Sequence, residues 1–289
     1  MAQNLLIRSI VLLSSAASLA VAAPPVIDDS ALIASFQNGI GRFAGKEGNP
    51  TGEDLAKSVR KPGKLSEKIQ LPDGAAAASD YETLSDSVFM VGSVYKCDKC
   101  DHWHSGGVAT AWCLTEDGLM VTNAHVFAKA KGAAMGICDR KGNCHPVTAV
   151  LASDANTDVA LFRVAGKGFK PLRLGEAAPV GTEISVISHP DQRYFTRTSG
   201  EISRYSSKPG RGKNPAVTWM SITADYAKGS SGGPVFNPAG EVVGMVSSTQ
   251  TIYYGSPDGK EQGPVQMVVK NCVQADSIRQ LIDGPVEVP

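Results

Sequence analysis

Lys plus Arg equals Asp plus Glu at 28 each, so this 289-residue chain carries no net formal charge. That balance excludes nucleic acid and anionic membrane as partners recognised by overall charge, and the basic stretch 208–213 reads as a solvated loop. With 42% hydrophobic residues the chain can bury a sizeable core, and one domain of about 200 residues with flanking extensions accounts for its length.

In chain order the first pattern is a secretory signal over residues 1–22: Arg8, an apolar run over 10–17, and Ala20-Val21-Ala22 as a cleavage site. The run is too short and too rich in Ser and Ala for a transmembrane helix. No Cys follows the cleavage site to receive a lipid, so the mature protein is expected to be secreted or periplasmic, without a membrane anchor. Residues 23–84 form an N-terminal extension. Asp29-Ser30 can cap a helix whose Leu32, Ile33, Phe36, Ile40 and Phe43 share one face, although Gly39 and Gly41 each cost about 1 kcal/mol relative to Ala. A Gly, Pro and Lys-rich stretch runs on to Ala75–Ala78, and the extension reads as a docked helix with a mobile linker. An inhibitory pro-segment is the alternative.

From residue 85 the pattern becomes β-rich. Runs at 88–95, 107–114, 119–122, 146–151, 159–164, 183–187, 216–223, 241–248 and 264–269 alternate with Gly, Pro, Asn and Asp clusters, and helix periodicity is nearly absent before a helix expected at 275–282. An all-β domain over 85–284 is expected, with a short tail at 285–289. Export implies an oxidising compartment, so the six cysteines are candidate bridges. Cys138 and Cys144 flank a charged turn containing Gly142, and a hairpin there would pair them. Cys113 and Cys272 either pair over a long range or stay as buried thiols. The segment Cys97-Asp98-Lys99-Cys100-Asp101-His102-Trp103-His104 offers four zinc ligands, yet eight residues would have to supply a whole tetrahedron, where structural sites usually join two separated ligand pairs. A short disulfide or a plain loop is favoured there; no metal and no cofactor are assigned.

Three motifs carry chemistry: Thr122-Asn123-Ala124-His125, then Asp158-Val159-Ala160-Leu161, then Gly229-Ser230-Ser231-Gly232-Gly233-Pro234. A serine hydroxyl becomes a good nucleophile when a neutral imidazole takes its proton, and a carboxylate must orient that imidazole. The Gly-x-Ser-x-Gly frame also fits the nucleophile elbow of α/β-hydrolases, but those place acid and histidine after the serine. Here all five histidines, His102, His104, His125, His145 and His189, precede Ser231. Asp158 immediately precedes an apolar strand, whereas its competitor Asp154 sits in a polar turn. Ser230 lacks the glycine frame of Ser231. His189 reads as a turn or cleft-wall residue and His145 as a strand residue.

The ordered motifs resemble those of the chymotrypsin-like (trypsin-fold) serine peptidases, most closely the bacterial branch that includes HtrA and glutamyl endopeptidases. The resemblance covers roughly residues 85–284 and implies two six-stranded antiparallel β-barrels with a C-terminal helix and a site in the cleft between barrels. It implies His125 as general base, Asp158 as orienting acid, Ser231 as nucleophile, and the N–H groups of Gly229 and Ser231 as oxyanion hole. It also implies a polypeptide substrate and an acyl-enzyme. Substrate would pair as an added strand with Ser247, Ser248 and Thr249. Asp225, six residues before Ser231, stands where trypsin-like enzymes carry the pocket-floor carboxylate; the alternative is a turn former paired with Lys228. The 97–104 loop would join the first two barrel strands near the leaving-group side. Two features depart from the family. Ser230 replaces the Asp that pairs with a new N-terminus in animal members, so activation by terminus insertion is not expected, and no PDZ module is expected after the C-terminal helix. The competing functional class is a non-catalytic peptide- or protein-binding module on the same fold.

Overall fold

The computed structural model describes residues 26–59, 65, 68–72, 79–210, 212–255 and 262–283. The signal segment, its cleavage site and the 285–289 tail lie outside them. Twelve antiparallel strands are found among the described residues. Six form one closed barrel: β1 (Val88–Lys96), β2 (Trp103–Cys113), β3 (Leu119–Thr122), β4 (Ala134–Cys138), β5 (Cys144–Asp154) and β6 (Val159–Val164). The other six form a second: β7 (Glu183–Ser188), β8 (Thr196–Lys208), β9 (Val217–Ile222), β10 (Pro234–Phe236), β11 (Val242–Gly255) and β12 (Gln262–Gln274). The neighbour order β1-β2-β3-β6-β5-β4 recurs six strands later as β7-β8-β9-β12-β11-β10. Closure leaves no open sheet edge inside either barrel.

Strand periodicity explains how the barrels stack. Side chains alternate between the two faces of a strand. Phe89 and Val91 of β1, Met120 of β3, and Ala160 and Phe162 of β6 fill the first barrel. The alternate residues Val88, Met90, Leu119, Val121, Val159 and Leu161 point outward, into a core shared with Phe236, Val242, Met245 and Val273 of the second barrel. Ile184, Val186, Ile202, Met220 and Val235 fill the second barrel's interior. Strands apolar on both faces therefore fix the barrel against its neighbour.

Three strands have no counterpart among the sequence-derived runs. β4 is five residues containing Gly136, β10 is three residues, and β8 is mostly polar, so none presents a long run of β-branched and aromatic residues.

Helix α1 (Asp29–Gly41) forms as expected, with Leu32, Phe36 and Ile40 buried against the first barrel. Its cap is one residue earlier than the Asp29-Ser30 reading: Asp28 accepts from the Ala31 N–H at 2.9 Å. Asp29 is thereby free to accept from the Tyr194 N–H, also 2.9 Å, tying the helix to the second barrel. Gly41 stands where a Cβ would come 2.3 Å from the Trp103 ring, so the helix propensity lost there permits close docking.

The stretch after α1 differs from the expected linker. It contains helix α2 (Gly52–Val59), whose Leu55, Ala56 and Val59 are buried with Ala124 and Phe127 of the short helix α4 (Ala124–Ala128). Eight residues with three apolar positions are too short for a clear helical period, which is why the segment reads as loop. A further short helix, α3 (Tyr81–Ser85), leads into β1, and α5 (Ala275–Asp283) closes the described chain with Ile278 and Ile282 buried.

Leu55 is 1% exposed between α2 and the first barrel. Leu55→Ala is expected to lower stability by about 2–5 kcal/mol, the usual cost of emptying a buried leucine site. Chemical denaturation checks this, and a loss under about 0.5 kcal/mol, as at exposed sites, would mean that α2 does not pack as described.

Candidate active site

The third strand of the first barrel ends at Thr122, whose hydroxyl donates to the Thr110 carbonyl at 2.7 Å and anchors the strand end to β2. Helix α4 starts two residues later and carries His125 in its first turn. On the neighbouring strand, Asp158 immediately precedes β6 and adopts φ 60°, a left-handed conformation uncommon outside Gly, Asn and Asp. Its carbonyl is held there by the Asn123 side-chain amide at 3.0 Å and the Ala124 N–H at 3.3 Å. This places the carboxylate under the imidazole. Asp158 Oδ2 lies 2.9 Å from His125 Nδ1, and Oδ1 accepts from the His125 backbone N–H at 3.1 Å.

The second barrel supplies the facing groups. Ser231 Oγ is 3.0 Å from His125 Nε2. Ser247, buried on β11, donates its hydroxyl to Asp158 Oδ2 at 2.6 Å. The carboxylate side chain is 12% exposed and the imidazole 45%, so Asp158 is enclosed while His125 opens to solvent. In the tautomer that carries its proton on Nδ1, facing Asp158, Nε2 is the acceptor for the Ser231 hydroxyl.

The loop before Ser231 is shaped by glycine. Gly229 has φ +97° and Gly232 φ +88°; a Cβ would come 2.3 Å from the His189 carbonyl at the first and 2.0 Å from the Thr110 carbonyl at the second. The Gly229 and Ser231 carbonyls are drawn to β2 by the Thr110 hydroxyl (3.0 Å) and the Thr110 N–H (2.8 Å). A loop whose carbonyls face β2 is suited to turning N–H groups the other way.

The residues weighed against these take other places. Asp154 closes its own turn, accepting from the Asn156 N–H at 2.7 Å and the Thr157 hydroxyl at 2.9 Å. Ser230 is fully buried and accepts from the Ser188 hydroxyl at 3.0 Å. His145 Nδ1 meets the Ala165 carbonyl at 2.9 Å, on β5. Asp225 is not a buried pocket floor: its side chain is 86% exposed and it pairs with Lys270 at 2.6 Å, not with Lys228. Ser248 and Thr249 continue β11 and pair with Asn271 and Lys270 of β12, while β10 pairs with β11 no further than Met245. The Ser248 carbonyl already accepts from the buried Tyr226 hydroxyl at 2.9 Å. The Ser247 hydroxyl bond to Asp158 is one that sequence did not reveal, because only the fold brings together residues 89 apart.

Among the cysteines, Cys138 and Cys144 face each other across β4 and β5 at disulfide distance. Cys113 and Cys272 are separate buried thiols, each pushed up to about 12 by burial. The Cys97 and Cys100 sulfurs lie 3.5 Å apart, so the short disulfide favoured from sequence is not formed.

Two closed barrels with a His, Asp and Ser cluster at their junction define the trypsin-like class. Residues 109–245, which include all three, match the family model described as a trypsin-like peptidase domain. A protein named probable periplasmic serine endoprotease DegP-like from Ectopseudomonas mendocina (strain ymp) is 33% identical over 150 residues, 50% of this chain and 30% of the relative. Its namesake from Rhizobium meliloti (strain 1021) is 31% identical over 177 residues, 60% of this chain and 33% of the relative. The chain spans about a third of the length of these curated relatives. The two barrels and the matched segment fit a trypsin-fold serine peptidase. No described helix is long and apolar enough to cross a membrane.

His189, fully buried behind the nucleophile loop, accepts from the Phe195 N–H at Nδ1 (3.0 Å), and burial lowers its pKa from 6.5 to about 4. Between those values the unfolded chain binds a proton that the folded chain refuses. Stability is therefore full above pH 6.5 and declines as pH falls toward 4, by on the order of 3 kcal/mol. His189→Asn, which keeps an acceptor for Phe195 without titrating, is expected to flatten that limb of the Tm-against-pH curve. An unchanged slope would place the acid sensitivity elsewhere.

Proposed function

We propose that the protein is an exported serine endopeptidase that hydrolyses peptide bonds through an acyl-enzyme. The observation that carries this reading is the continuous chain Ser247–Asp158–His125–Ser231, every link of it between 2.6 and 3.0 Å. His125 Nε2 takes the Ser231 hydroxyl proton as Oγ attacks the peptide carbonyl carbon. Asp158 keeps the other ring nitrogen protonated and stabilises the imidazolium that forms. The Gly229 and Ser231 N–H groups are the donors to the developing oxyanion. Collapse of the tetrahedral intermediate expels the amine, which takes the proton back from His125. Water then attacks the ester by the same route and releases the acid and free Ser231.

Substrate backbone would run along β11 from Ser247 to Thr249, a reading supported by β10 pairing with β11 no further than Met245. Main-chain pairing would hold an extended peptide while pockets choose its side chains. The exposed, Lys270-paired Asp225 supports no cationic pocket. The α2 segment acts as a support for the His125 helix, since it packs directly behind it. Secretion to the periplasm is in keeping with the names of the relatives and with the N-terminal signal pattern.

Fluorophosphonate should label Ser231 and leave Ser230 untouched, which also separates an enzyme from a non-catalytic binding module. Ser231→Ala or His125→Ala should each cost several orders of magnitude in turnover, and the double variant little more than either. Retained peptidase activity in Ser231→Ala would refute the assignment. Ser247→Ala removes one hydrogen bond to a charged acceptor and is expected to lower kcat about 10- to 100-fold. Asp225→Ala should leave the cleavage profile of a peptide library unchanged; loss of cleavage after Lys or Arg would restore it as a pocket residue.

A further inference from the structure

Away from the junction of the barrels, one cluster gathers soft donors. The hairpin between β1 and β2 carries Cys97 and Cys100 in its connection and His104 at the start of β2, paired across the ladder with Tyr95. Cys97 Sγ and Cys100 Sγ stand 3.5 Å apart, and His104 Nε2 is 3.3 Å from the first and 3.1 Å from the second. Three donor atoms thus surround one point.

The surroundings hold them there. The Tyr95 ring lies 5.5 Å from the His104 ring, Lys96 sits over Trp103 at 5.4 Å, and Trp103 packs against Gly41 of α1. The hairpin end is pinned on both strands, so the donor triangle is built into the fold.

Separation and chemistry narrow what the cluster takes. A disulfide needs sulfurs about 2.05 Å apart, well inside the observed distance. Around zinc, bonds of about 2.3 Å to sulfur and 2.0 Å to nitrogen set neighbouring donors roughly 3.5–3.8 Å apart, within a few tenths of an ångström of this triangle. Two thiols and an imidazole suit a borderline-soft cation and not Mg²⁺ or Ca²⁺, which take oxygen. We propose that Cys97, Cys100 and His104 bind Zn²⁺, with the fourth tetrahedral position open to water, since all three residues are part-exposed. This revises the expectation of no metal. Two thiolates and a neutral imidazole leave the bound ion electrically neutral, and uptake releases two protons.

β2 leads from His104 to Thr110, the residue that holds the Gly229 and Ser231 carbonyls.

The test uses the full exported chain, purified without chelator. Elemental analysis is expected to find one zinc per chain, in the parent and equally in Ser231→Ala, so the result is independent of peptidase activity. Cys97→Ser and Cys100→Ser should each lower occupancy at least tenfold. Because those variants can misfold, the unaltered chain is also stripped and reloaded with cobalt(II); tetrahedral d–d bands with thiolate charge transfer are expected, together with slowed amide exchange over 97–104. Zinc below a tenth of an equivalent with no thiolate-to-cobalt band, or recovery of a Cys97–Cys100 disulfide by peptide mapping, would overturn the proposal.

Discussion

Asp158 meets His125 and Ser247 through its side chain and Asn123 and Ala124 through its carbonyl, with its backbone held at φ 60°. A left-handed non-glycine residue costs of order 1 kcal/mol or more, and it persists where surrounding bonds over-determine it. Here the same bonds that pin the backbone also orient the imidazole. Were Asp158 to relax into ordinary extended backbone, its carboxylate would leave the His125 ring and its carbonyl would leave the start of α4. One local conformation thus sets both the helix that bears the base and the direction in which the base points.

The second requirement is that two barrels meet in a fixed register. His125 and Asp158 come from the first, Ser231 and Ser247 from the second, and no local sequence signal connects them. What connects them is the shared core of Met90, Val121 and Leu161 against Phe236, Val242 and Met245, together with Thr110, which reaches across to the nucleophile loop. Dense apolar packing resists sliding, so the His125 and Ser231 side chains, 106 residues apart, can sit at 3.0 Å.

That His125, Asp158 and Ser231 meet was legible because each lies in a short motif whose neighbours have mechanical work: Asn123 holds Asp158, Gly232 avoids Thr110, and Val159 starts a strand. Most strands were legible for a similar local reason, as β-rich runs bounded by Gly, Pro, Asn and Asp clusters. Polar β8, the very short β10 and α2 were not, because their place is set by partners distant in sequence. Asp225 shows the limit of spacing arguments. Its offset from Ser231 matches a pocket carboxylate, yet its side chain stands exposed beside Lys270 on β12, and nothing near Asp225 in sequence announces that lysine. The same holds for Cys97 and Cys100, whose spacing permits a bridge, a loop or a metal site alike until His104 is folded back beside them.

The N-terminal extension follows from the same burial argument. A small barrel can turn polar residues to solvent on its outer face, but β1 and β2 place Val88, Met90 and Trp112 there, all fully buried. Without cover, that face would be an apolar patch of the kind soluble proteins avoid. Leu32, Phe36 and Ile40 of α1 supply the cover, and α2 does the same behind Phe127. Residues 29–59 are in this sense part of the first barrel's core, which makes their removal a perturbation of the His125 support and not merely the loss of a tail.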